Sequence, residues 1–173
     1  MKNQLKTIAL AIGLCSAILI SSCGSDDSGP DFDFKDQNLQ GVIDGLPFVF
    51  GEGTVEELTL DGGVLSFRLY HSDELFDDAC DFFSTERVSV TFTTKVATGV
   101  TNLFFDINSF DGEFVSLINP SSTDGFPLTS LASIGAIEIL SITDSEVTGR
   151  LDATLDAENT VNGNFTVNFC SPN

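Results

Sequence analysis

The sequence predicts an all-β fold, an antiparallel sandwich or an up-and-down barrel of about ten short strands, on three observations. Apolar and polar residues alternate with a period of two through most of the chain beyond residue 38. Asp-Gly pairs and Asn/Ser-rich stretches interrupt the alternation at short intervals, as tight turns require. No stretch of this region carries the period of 3.6 residues that marks an amphipathic helix. The 173 residues leave room for one domain of ordinary size after an N-terminal leader.

That leader is the first element. Lys2 and Lys6 precede an uncharged apolar run, TIALAIGLCSAILI, over Thr7–Ile20. A bilayer-spanning helix needs roughly 20 apolar residues, so this shorter run fits the apolar region of an export signal, residues 1–22, better than a permanent anchor. Ile20-Ser21-Ser22-Cys23 ends it, an aliphatic residue and two small ones before a cysteine. This tetrapeptide resembles the lipobox of bacterial lipoproteins. The resemblance implies a diacylglyceryl thioether on Cys23, cleavage between Ser22 and Cys23, and acylation, palmitate included, of the new amino group. The chemistry suits the residues, because small side chains admit the peptidase and the thiol is the soft nucleophile at this point. Two or three acyl chains on one residue hold a protein firmly to a membrane.

Residues 23–37 follow as the lipidated cysteine and an acidic, Gly- and Pro-containing linker without sustained period, read as a disordered leash. Gly24 stands where many lipoproteins kept at an inner membrane carry Asp. Asp26-Asp27 resembles the acidic export signal of Bacteroidetes-type surface lipoproteins. The expected address is therefore the bacterial outer membrane, lipid-anchored, at the cell surface.

Residues 38–173 form the single β domain. Strands are expected at 39–43, 46–50, 54–60, 64–71, 86–94, 100–107, 113–118 and 134–142. Asp44-Gly45, Asp61-Gly62 and Asp111-Gly112 stand between pairs of them, where a hairpin turn needs positive φ. Two longer alternations close the chain. In the first, Val147, Gly149, Leu151, Ala153 and Leu155 share one face, with Thr148, Arg150, Asp152, Thr154 and Asp156 on the other. In the second, Val161, Gly163, Phe165, Val167 and Phe169 oppose Asn162, Asn164, Thr166 and Asn168. Asn162-Gly163 also fits a hairpin turn, but the unbroken alternation favours a strand, with the turn at 157–159. Gly149 and Gly163 then lie on the inward face as packing devices, leaving room for a bend or a large neighbour. GAIEIL, VTGRLDATL and VNGNFTVNFC resemble the ending of small β-rich lipoproteins of Bacteroidetes and related bacteria, whose shared motifs are structural and bring no activity.

Composition narrows function. Removing Lys2 and Lys6 with the leader leaves five of the 7 basic residues against 26 acidic ones, a charge of −21 in place of −19. Nucleic acid is thereby excluded as a partner. Phe occurs 16 times, Tyr once and Trp not at all, a set that fills interiors rather than recognising ligands. Of 4 cysteines, Cys15 leaves with the signal and Cys23 takes lipid, so Cys80 and Cys170 are expected to form a disulfide at the rim. His71 is the one histidine and reads as a solvated residue at a strand end, which argues against acid–base catalysis around a triad. No cofactor is expected. Calcium is the one candidate, on the acidic loop carrying Asp73, Glu74, Asp77, Asp78 and Asp81, with Asp77, Asp78 and Asp81 as ligands. Phe82-Phe83 and Phe104-Phe105 put neighbouring rings on opposite sides and are candidate contact points.

These readings make the chain a non-enzymatic, lipid-anchored interaction or structural module. Its partners are the membrane and an extracellular protein or small ligand. The alternative is a lipocalin-like binder holding a small apolar ligand in a Phe-lined barrel, which requires an enclosed cavity.

Overall fold

The computed structural model describes residues 32–58, 63–72, 80, 87–109, 111–121 and 127–170. The chain divides into two compact units, Met1–Asp31 and Phe32–Asn173. The first lies outside the described residues, and with it the signal, Cys23 and most of the expected leash.

The second unit is all-β, with twelve strands among the described residues and no helix. They are β1 (Gln40–Ile43), β2 (Leu46–Leu58), β3 (Val64–His71), β4 (Ser89–Lys95), β5 (Gly99–Asn102), β6 (Phe104–Asp106), β7 (Asp111–Glu113), β8 (Val115–Asn119), β9 (Leu128–Ala132), β10 (Ile134–Ile142), β11 (Glu146–Asp156) and β12 (Asn159–Phe169). Ten of them make one sheet in the order β5-β10-β11-β12-β1-β2-β3-β4-β8-β9, and β6 and β7 pair separately as a hairpin. Neighbours are antiparallel, except that the end of β12 also meets β2 in parallel at Asn168↔Thr54 and Phe169↔Val55. Short β1 is thus wedged between β12 and β2 at one end only.

The ten-stranded sheet curls on itself around one core. β12 and β4 stand four places apart in the strand order, which would separate them by about 19 Å in a flat sheet. Yet the rings of Phe165 on β12 and Phe92 on β4 lie 5.8 Å apart, centroid to centroid. Phe67 on β3 stacks on Phe92 at 4.6 Å and meets Phe165 edge-on at 5.7 Å, the offset and T-shaped arrangements that ring quadrupoles favour. Around this trio the buried cluster takes in Leu39, Phe48, Leu117, Ile137, Leu151 and Val161, from strands all round the sheet. β9 lies against β11 and β12 and helps cover the core. The fold is an open barrel-like sheet, with β5 and β9 at its ends.

The alternation read from the sequence sets these faces. In β12, Val161, Gly163, Phe165 and Val167 are buried while Thr166 and Asn168 are exposed, and β10 occupies the expected residues 134–142. Asp44-Gly45 forms the β1–β2 turn with φ of 51° and 73°, the geometry of a type I′ hairpin. Gly149 takes its predicted role: a Cβ there would come within 2.6 Å of Phe165 Cζ, so its missing side chain makes space for that ring.

Four expectations are corrected. Residues 46–50 and 54–60 form one strand, because the irregularity between Phe50 and Glu52 is a bulge that lets pairing with β3 continue. Residues 100–107 break at Leu103, which turns into the core and sends β5 to the large sheet and β6 to the hairpin. Asp111-Gly112 lies inside β7, the turn falling at 107–109, where Asp106 accepts bonds from Asn108 and Ser109. Residues 32–37, expected to be unstructured, run along β12: Leu39 N–H donates to Asn164 O and Asn164 N–H to Gln37 O. Composition marks this segment as polar, but the β12 amides that hold it lie about 125 residues away in sequence. β9 has no counterpart among the expected strands, its LTSLA being too short and polar to stand out. Asp61-Gly62 lies outside the described residues.

Candidate functional site

The disulfide expectation is met in position. Cys80 and Cys170 are bonded, their Cα atoms 5.4 Å apart across 90 residues of sequence. Cys170 follows β12 and donates its backbone N–H to Val55 O at 3.0 Å, so the bond ties Cys80 to the rim where β12 reaches β2. The calcium candidates Asp77, Asp78 and Asp81, with Asp73, Glu74 and Phe82-Phe83, lie outside the described residues. Among the described residues no group of three or more His, Cys, Asp or Glu side chains is placed to hold a metal ion.

His71 ends β3 with its ring 5.9 Å from that of Phe48. Its Nδ1 accepts the Val49 N–H at 2.9 Å, which places the proton of the neutral ring on Nε2. Three residues before it, on the outward side of the strand, Arg68 faces Glu56 at 3.6 Å, and Tyr70, which follows Arg68 by two positions, is nearly fully buried. Burial pushes the Tyr70 phenol up, against the pull of Arg68 and Arg87.

Phe104 and Phe105 divide as expected. Phe104 is 51% exposed, whereas Phe105 packs edge-on against Phe114 at 5.5 Å. The hairpin they belong to helps bound a cleft of about 190 Å³, lined by Ser66, Thr91, Phe92, Thr93, Gly112 and Phe114. At the hairpin tip, the Asn108 N–H and the Ser109 hydroxyl hold the Asp106 carboxyl below its ordinary range.

The most developed polar arrangement lies on the outward face of β11 and β12, and sequence reading passed over it. Glu138 of β10 and Arg150 of β11 stand opposite each other in register, and Arg150 Nε–H donates a charged hydrogen bond to Glu138 Oε2. The Arg150 guanidinium lies 4.7 Å from the centre of the Phe34 ring, within cation–π range. Asn162 uses both ends of its amide. Its Nδ2 donates to Asp152 Oδ1 and to the backbone O of Asp33, each at 2.9 Å, and its Oδ1 accepts the Lys35 N–H at 2.9 Å. Asn164 Nδ2 donates to Asp36 Oδ1 at 3.0 Å, and Gln37 Nε2 donates to Asn162 O at 3.0 Å. Burial pushes the Asp152 carboxyl up, opposed first by the Asn162 amide, and the nearby Asp33 charge adds to the rise.

The alternation places Asn162 and Asn164 outward, and that was the available signal: three outward asparagines on one strand carry far more hydrogen-bonding capacity than a merely solvated face needs. No family model matches the chain, and neither the curated proteins nor the solved structures yield a match.

Proposed function

We propose that this chain is a lipid-anchored β domain of the bacterial outer membrane, displayed at the cell surface, that works as a non-enzymatic interaction or structural module. The observation that carries the reading is Ile20-Ser21-Ser22-Cys23 at the end of a short apolar run with a basic start. In the anchored protein Cys23 holds the acyl chains, and the acidic residues after it link them to the domain. The interior supports work at the surface rather than around an enclosed ligand, since Phe67, Phe92 and Phe165 pack against one another at its centre. The engagement of His71 Nδ1 by a backbone N–H supports a structural histidine rather than a general base.

The test is metabolic labelling with a fatty-acid probe in a bacterium that processes lipoproteins. The wild-type chain is expected to take label and lose its leader. Cys23→Ser should abolish labelling and accumulate as uncleaved precursor; normal processing of that variant would refute the anchor. Protease shaving of intact cells then reads the display, degradation of the domain meaning an outward position and full protection an inward one.

A further inference from the structure

Residues 33–37 cross the outer face of β11 and β12 as a bound peptide crosses a receptor, with a tight turn at Asp36 where the Gln37 N–H donates to Lys35 O at 3.0 Å. The side-chain amide of Asn162 reads the backbone of this segment in two directions, accepting from the N–H of Lys35 and donating to the carbonyl of Asp33 two residues earlier. A planar amide paired with an N–H and a C=O spaced by two residues recognises extended backbone of any sequence. Sequence enters through the neighbours. Arg150 offers its guanidinium to one aromatic ring, that of Phe34, and is itself held by Glu138. Asn164 offers its amide to one acid, Asp36. Gly163 lies between the two asparagines with φ of 140°, and a Cβ there would fall 2.8 Å from Gln37 O and 2.7 Å from Asn38 O. The strand is therefore cut away where the incoming backbone approaches closest.

We propose that this face is a peptide-binding site for a segment with an aromatic residue followed two positions later by an acid at a tight turn. The chain's own Asp33–Asp36 fills it in cis, and the same segment of a second copy can fill it in trans. The occupant follows from the fit: Phe34 and Asp36, the ring and acid that Arg150 and Asn164 hold, lie immediately before β1 of the chain itself. Few apolar contacts hold the segment. Its bonds to β12 are hydrogen bonds at half-buried and exposed positions, the kind that open without global unfolding. The proposal stands independently of lipid on Cys23, because every group it uses lies between residues 33 and 164.

Two complementary variants of the full chain test it. Phe34→Ala weakens the segment and leaves the face intact, whereas Asn162→Ala disables the face and leaves the segment free. Each alone is expected to be a monomer by light scattering. Mixed, they should form a one-to-one heterodimer, and a peptide of residues 31–38 in excess should disperse it. The same peptide, fluorescently labelled, should bind the Phe34→Ala chain at least about tenfold more tightly than the wild type, whose face is already occupied. Two folded variants that stay monomeric on mixing would overturn exchange between copies, and peptide binding that survives Asn162→Ala would overturn the site. A measurement on the wild type covers the case in which a variant does not fold. Excess unlabelled peptide should accelerate hydrogen exchange at the Lys35 amide by displacing the chain's own segment, and an unchanged rate counts against the proposal.

Discussion

β12 presents two faces of equal length and opposite chemistry, and they are held by different means. Its inward residues, Val161, Phe165 and Val167, belong to one buried cluster drawn from strands all round the sheet. Its outward residues Asn162 and Asn164 are held by a segment that arrives from the start of the domain and, at Asn162, by Asp152 of β11. The inner face is thus fixed by non-directional packing to many neighbours, while the outer face depends on a few directional bonds to two. Loss of an inner residue should be felt globally, and loss of an outer one locally.

The largest effect is expected at Phe165. Its ring contacts Phe67 and Phe92 and fills the space that Gly149 leaves, so Phe165→Ala opens a cavity at the centre of the core. Urea unfolding should show a loss of about 3–5 kcal/mol. Thr166→Ala, one residue on and facing out, should stay within about 0.5 kcal/mol of the wild type. Equal costs at the two positions would break the contrast between the faces.

The rim where β12 ends is held by covalent means. Replacing Cys80 and Cys170 with serine reopens a loop spanning 90 residues of sequence. Stability should fall by roughly 2–4 kcal/mol, read as a lower thermal midpoint, and reduction of the native protein should reproduce the shift.

The contrast also explains what sequence could reveal. The inner face was legible because burial of alternate residues leaves a period of two in the chain itself, and that period placed β10, β11 and β12 to within a residue or two. The pairing of Cys80 with Cys170 was legible by elimination, since assigning Cys15 to a leader and Cys23 to lipid leaves these two cysteines to join. The outer site was not, because Asn162 and Asp33 are 129 residues apart and each alone resembles an ordinary solvated position. Strand breaks were missed for a related reason. Leu103 fits either face by composition, and its inward turn is decided by the space between β10 and the rest of the core.

A smaller effect is expected at Asn162. Asn162→Ala removes the donor to Asp152 and both contacts to the backbone of residues 33–35 while leaving the inner face untouched. The cost should be about 1–2 kcal/mol. Hydrogen exchange should locate it at residues 33–38, with the amides of β11 and the rest of β12 still protected. A uniform loss of protection across the sheet would mean that the two faces are coupled after all.

The smallest effect separates the faces by pH. Burial raises the Asp152 carboxyl above its ordinary value of 3.8, so the folded chain binds this proton more tightly than the unfolded one. The associated stability is fully present below the unfolded value and is lost as pH rises through the folded one. Asp152 therefore opposes the usual acid destabilisation from carboxylates such as Asp106, which is held low by its bonds to Asn108 and Ser109. Asp152→Asn keeps an acceptor for the Asn162 amide and removes the titration. Its stability relative to wild type should therefore increase as pH is raised from below 3.8 toward neutrality, and the protection of residues 33–37 against exchange, compared with wild type at the same pH, should rise over the same range. Phe165→Ala, compared with wild type in the same way, should give a difference that does not change with pH, since Phe67, Phe92 and Gly149, against which that ring packs, carry no titrating side chain. A pH-independent difference for Asp152→Asn would show that the outer face draws its hold from neutral hydrogen bonds and the Arg150–Phe34 contact alone.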